Sequence, residues 1–197
     1  MIERLLSLRL LVVVRLHTAL LARSFAGLGH GTRITPPFRF SNLRLMSLGN
    51  ETLVHRNCWF NALPLESTEH GPLLTIGDKC SIGQGAILSA ACHVELGAQV
   101  LLGPNVYISD HGHEYADPER PIMLQGITPP RPVVIGSGTW LGYNVCVLPG
   151  VSIGRNCVVG ANSIVRSNLP DFSVAVGSPA RVIKRFDLIQ RQWIRVH

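Results

Sequence analysis

The stretch YISDHGHEYADPERP, residues 107–121, sets two imidazoles, His111 and His113, among four acids, Asp110, Glu114, Asp117 and Glu119, with Arg120 as counterweight. Imidazole changes charge near neutral pH, so such a pair can take a proton from a hydroxyl and pass it to a leaving group. A carboxylate beside the ring fixes which nitrogen carries the proton. Asp110, Glu114 and Asp117 all stand close enough in sequence to do this. The other chemistry open to histidine is metal binding, for which His93, His111 and His113 supply three donors. A histidine in a solvated loop does neither, so the elements on each side must decide.

Those elements are periodic. Steps of six from Ile76 land on Ile82, Leu88, Val94, Val100 and Val106; steps of six from Ile135 land on Leu141, Val147, Ile153, Val159 and Val165. Glycine follows six of these twelve aliphatics, and small or apolar residues, Cys80, Cys92 and Cys157 among them, come four positions after most of them. A period of six fits neither an amphipathic helix nor a hairpin. It fits short strands with a turn after each, three to a triangular coil of about eighteen residues, with coils stacked at about 4.8 Å. Leu48, Val54 and Phe60 carry the same step upstream of an interruption at 66–72. The step fails again between Val106 and Ile135, where Pro118, Pro121, Pro129, Pro130 and Pro132 exclude a regular strand. Residues 112–134 are therefore expected to leave the coil as an extended loop, with the histidines at its root.

Composition narrows the classes. The chain has 197 residues, 46% hydrophobic and 15% charged, which excludes disorder; at 6% aromatic, its core must be aliphatic. Five cysteines without a CxxC pair argue against a disulfide framework or a zinc ribbon and for a reducing, cytoplasmic setting. The net charge of +6 gathers toward the chain ends and suits phosphates or an anionic membrane surface; no aromatics interleave with the cations as nucleic-acid binding would ask. Residues 1–26 read as a helical segment. Arg9 and Arg15 leave only the five apolar residues 10–14 uninterrupted, too few to span a bilayer. The segment is expected to pack on its own protein or a neighbouring subunit, with contact to the inner face of the cytoplasmic membrane, through residues 1–23, as the alternative. A solenoid should occupy 27–180, and FDLIQRQWIRVH predicts a short helical tail over 181–197.

The blocks VVIGSGTWLGYNVCVLPGVSIGRNCVVGANSIV and VAVGSPARVIKR, residues 133–165 and 174–185, resemble the hexapeptide-repeat acyltransferases, nearest the maltose and galactoside O-acetyltransferases and the polysaccharide O-acetyltransferases. The resemblance implies an all-β solenoid, a left-handed parallel β-helix, assembled as a homotrimer. It implies direct transfer of an acetyl group from acetyl-CoA to a hydroxyl of a sugar or polysaccharide precursor. His113, followed by EYADPER, matches the family's catalytic base. His111, Asn61, Asp110 and Glu114 fall on the acceptor side, with Asn61 matching a family asparagine. Coenzyme A would run along Trp140, Gly142, Tyr143, Ala161 and Arg166, with Arg181 and Lys184 near its phosphates; Tyr143 and Arg166 replace smaller residues common there. No metal is expected. Two competing readings are a trimeric zinc β-helix of the carbonic anhydrase type and a non-catalytic solenoid scaffold.

Overall fold

The computed structural model describes residues 2–65 and 71–196. Short parallel strands build a three-sided prism, and the chain visits the three faces in turn, as a left-handed parallel β-helix. The first face stacks Gly27–Leu28, Met46–Leu48, Leu74–Ile76, Val94–Leu96, Val133–Ile135 and Ser152–Ile153. The second begins with Arg33–Ile34 and runs through Leu53–Val54, Ser81–Ile82, Leu101–Leu102, Trp140–Leu141 and Val158–Val159 to Ser173–Gly177. The third stacks Arg39–Ser41, Trp59–Ala62, Ile87–Ala90, Tyr107–Ser109, Cys146–Val147 and Ile164–Val165.

Register shows where the regular coil is broken. Leu28 stands beside Leu48, Leu48 beside Ile76, Ile76 beside Leu96, Leu96 beside Ile135 and Ile135 beside Ile153. The coils are thus 20, 28, 20, 39 and 18 residues long by residue number. The other two faces keep the same offsets, as in Ile34 beside Val54 and Phe60 beside Leu88. Every extra residue therefore emerges at one edge, where the third face turns into the first. Of the expected interruption at 66–72, residues 66–70 lie outside the described residues.

The six-residue step needs one correction. Val94 stands beside Leu74, so the column of Ile76, Ile82 and Leu88 continues through Leu96, Leu102 and Ile108. Val94, Val100 and Val106 are buried too, but in the second inward column of each strand. Because both columns point inward, a slip of two residues at 90–93 still lands on aliphatics. In the true register Gly97 and Gly103 fall in line with Gly77 and Gly83. The reason for glycine is steric: a Cβ on Gly77 would lie 2.7 Å from the Ala98 backbone nitrogen, and one on Gly136 2.5 Å from that of Arg155.

Both open ends of the stack are covered. Helix α1 (Ile2–Ala22) crosses the N-terminal end, as its first expectation had it. The Ile34 N–H on the outer strand edge donates to Thr18 Oγ1 at 2.8 Å, and the Ile34 carbonyl lies 3.0 Å from His17 Nδ1. Val14 and Phe25 are buried there, and Leu21 packs on the core. At the other end the tail expected to be helical over 181–197 contains no helix among the described residues. Ala180–Asp187 and Gln192–Arg195 are instead antiparallel strands that extend the second face. The free edge of Ser173–Gly177 would leave amides unpaired under a helix, and a hairpin satisfies them. Val182, Lys184 and Phe186 alternate with the more exposed Arg181, Ile183 and Arg185, and Asp187 Oδ1 accepts the Ile189 and Gln190 N–H groups at the turn.

Candidate active site

The irregular edge of the prism carries the histidines. The 39-residue coil departs after Tyr107–Ser109 and returns at Val133, so the excursion spans 110–132. It folds back on itself instead of hanging open. His113 pairs with Ile127 in an antiparallel bridge, Glu114 N–H donates to the Gly126 carbonyl, and Thr128 N–H donates to the Gly112 carbonyl. A short 3-10 turn, Ile122–Leu124, forms the tip.

Between this loop and the outer wall of the third face lies a cavity of about 330 Å³, lined by Asn61, Ser89, His111, His113 and Ile127 and by Trp59, Leu63, Ile87 and Tyr107. Asn61 Nδ2 donates to Ser89 Oγ at 3.2 Å. Three sequence candidates, Asn61, His111 and His113, thus share one hollow although Asn61 precedes the histidines by fifty residues.

Asp110 lies directly behind them, fully buried. Its carboxylate accepts the backbone N–H groups of Ala91, Cys92 and His93 at 2.7–2.9 Å and faces His111 Nδ1 at 2.7 Å. Burial alone would raise its pKa; the His111 hydrogen bond and then the backbone amides outweigh burial, so the carboxyl lies below its ordinary value. An ionised carboxylate only accepts, so Nδ1 of His111 carries a proton, and in the neutral ring the lone pair then lies on Nε2. Of the carboxylate candidates, Asp110 is therefore the one that orients an imidazole, and the imidazole is His111. The extra residues at 90–93 turn three amides toward it. Glu114 faces elsewhere: its Oε1 accepts the Tyr115 and Ala116 N–H groups and braces the loop. Cys92, beside Asp110, is pushed up to about 11 by burial and by that carboxylate, so no thiolate adjoins the histidines. His93 pairs with Glu95 at 3.1 Å and does not line the cavity.

The proposed coenzyme residues gather on another part of the surface. Trp140, Val158, Val174 and Lys184 stand in register across the second face. Gly142, Tyr143 and Ala161 occupy the turns that follow it, with a Cβ on Gly142 only 2.8 Å from the Ala161 nitrogen. Arg181 is exposed and Lys184 lines a hollow with Ile183, Arg195 and Val196. Arg166 follows the last strand of the third face. None of these lines the histidine cavity. The lining residues that sequence reasoning missed are Trp59, Leu63, Ile87, Ser89, Tyr107 and Ile127. A signal existed for three: Trp59, Ile87 and Tyr107 each precede a buried apolar residue, Phe60, Leu88 and Ile108, at outward positions where a solvated wall would be polar.

The chain is similar to known proteins. Residues 132–167 match the bacterial transferase hexapeptide (six repeats) family, and residues 74–110 the hexapeptide repeat of succinyl-transferase. The galactoside O-acetyltransferase of Escherichia coli (strain K12) is 31% identical over 169 residues, covering 86% of this chain and 68% of that protein. The putative lipopolysaccharide biosynthesis O-acetyl transferase WbbJ of the same strain is 34% identical over 127 residues, 61% of this chain and 65% of that one. The crystal structure of PerB from Caulobacter crescentus in complex with CoA and GDP-perosamine superposes with a TM-score of 0.55 at 27% identity, covering 77% of this chain and 56% of that one. The matched part spans between 39% and 68% of the length of such curated relatives.

Proposed function

The chain belongs to the hexapeptide-repeat transferase family, and on that premise we propose that it moves an acetyl group from acetyl-CoA to a hydroxyl of a sugar or polysaccharide precursor. The observation that carries this reading is the meeting of Asn61, His111 and His113 in one cavity beneath the loop at 110–132. In the reaction, an imidazole takes the proton of the acceptor hydroxyl as its oxygen attacks the thioester carbonyl. The new C–O bond forms, the C–S bond breaks, and the imidazolium returns the proton to the departing thiolate. We assign the base to His113, the histidine at the family's position, and let His111 accept a hydrogen bond from the sugar through Nε2. Asn61 and Ser89 supply further polar contacts to the acceptor.

The Asp110 clamp favours a second assignment within the same reaction, with His111 as base and His113 on the acceptor. Acetyl-CoA is assigned to the second face, its ring system near Trp140 and Tyr143 and its phosphates near Arg181 and Lys184. Cations there suit the doubly anionic 3′-phosphate and the pyrophosphate. Sugar acceptors are named for the galactoside enzyme and a sugar nucleotide is bound to PerB, which supports the acceptor class. Five free cysteines and a coenzyme A donor suit the cytoplasm. The family resemblance supports a homotrimer. The deciding experiment is thiol release from acetyl-CoA with a panel of sugars, oligosaccharides and sugar nucleotides. A hydroxyl acceptor giving turnover above hydrolysis is expected. Absence of both acetyl-CoA binding and transfer across the panel would leave the scaffold reading in its place.

A further inference from the structure

We propose that the N-terminal end of the prism is a docking surface for an anionic lipid bilayer. The first fifty residues hold seven arginines and a single acid, Glu3, a balance of +6; the remaining residues hold eleven cations and eleven acids, a balance of zero. The whole net charge of the protein therefore sits on α1 and the first coil. Arg9, Arg15, Arg23, Arg33, Arg39 and Arg44 are all exposed, and among the described residues none is in an ion pair.

The same end exposes an apolar row. Leu8, Val12, Leu16 and Leu20 are 59%, 49%, 61% and 81% exposed. Their four-residue spacing runs them along α1 on the side away from Val14, Thr18 and Leu21, which hold the helix to the coil. Between the helix and the coil a groove lined by Leu10, Leu11, Val14 and Leu53 carries Arg33. No helix among the described residues is long and apolar enough to cross a membrane. A helix of this kind lies in the plane of the interface, its aliphatic row among the acyl chains and its arginines reaching up to the phosphates. A second copy is the poorer occupant, because it would bring two sets of six arginines together without a counter-charge. An anionic surface answers both the leucines and the charge.

The test is co-sedimentation of the full chain with vesicles of phosphatidylglycerol and phosphatidylcholine, against vesicles of phosphatidylcholine alone, at low and high salt. Binding to the anionic vesicles that weakens with salt is expected. Changing Arg9, Arg15 and Arg23 together to Gln should weaken partitioning by about a hundredfold, at roughly fivefold per cation. Changing Leu16 and Leu20 to Ser should weaken it by about a hundredfold or more, with thermal unfolding and mass unchanged. Equal binding to both vesicle types, or to neither, would overturn the proposal. So would leucine variants whose mass in light scattering falls, since another copy would then cover the row.

Discussion

One carboxylate, Asp110, gathers three backbone amides and an imidazole with no exposed surface of its own. Asp110→Ala would strand those three N–H groups in the interior and should cost about 3 kcal/mol or more in a urea titration. The sign with pH follows from the depressed pKa. The contribution is complete above the ordinary carboxyl value of 3.8 and is lost as pH falls through the lower folded value. The stability gap between wild type and Asp110→Ala should therefore hold at neutral pH and close only below that value. The proposed assignment gives the two imidazoles different roles. His113→Ala should lower turnover by about a hundredfold or more, the usual contribution of a positioned base, and His111→Ala by about tenfold. Acetyl-CoA binding should survive both, because neither ring lies on the second face. The reverse ranking in a steady-state assay would give the base to His111 and its Asp110 clamp.

At the scale of the element, the turns of the coil are set by contact between stacked backbones. Gly136→Ala would put a methyl group 2.5 Å from the Arg155 nitrogen and the Gly154 carbonyl carbon, which cannot part without opening the stack. A loss on the order of 3 kcal/mol in thermal or denaturant unfolding is expected. Gln99 shows the opposite case. It sits on a corner at φ 61, a left-handed conformation awkward for a side chain, so Gln99→Gly should gain roughly 0.5–1 kcal/mol. These corners also show what the sequence made legible. The period of six announced the coil because every inward position had to be aliphatic, and the prolines announced the excursion because they cannot join a ladder. The slip at 90–93 stayed hidden because Val94 and Leu96 are both buried; only the spacing of Gly77, Gly83, Gly97 and Gly103 betrays it. The tail reads as a helix because Phe186, Trp193 and Ile194 suit a helix face as well as a strand, and the pull of an open sheet edge is invisible in local sequence. The pairing of Asp110 with His111 was legible as proximity but not as geometry, since Glu114 and Asp117 stood equally near.

At the scale of the whole molecule, the excursion loop ends in an apolar tip that its own chain does not cover. Ile122, Met123 and Leu124 are 54%, 84% and 56% exposed, and the second face adds Leu101 at 45%. Side chains of this size on the outer walls of a prism suit burial against identical prisms packed around a three-fold axis. The chain is therefore expected in light scattering at three times 21.5 kDa. Met123 lines no part of the histidine cavity, so a charge placed there leaves the reacting groups untouched. Met123→Glu would have to bury a carboxylate in the subunit contact, at a cost of several kcal/mol if unpaired. The expected outcome is a fall in mass toward that of one chain at micromolar concentration, with turnover falling in step. A variant that stays trimeric and fully active would place the tip in solvent, and a monomeric, fully active wild type would remove the assembly from the mechanism altogether.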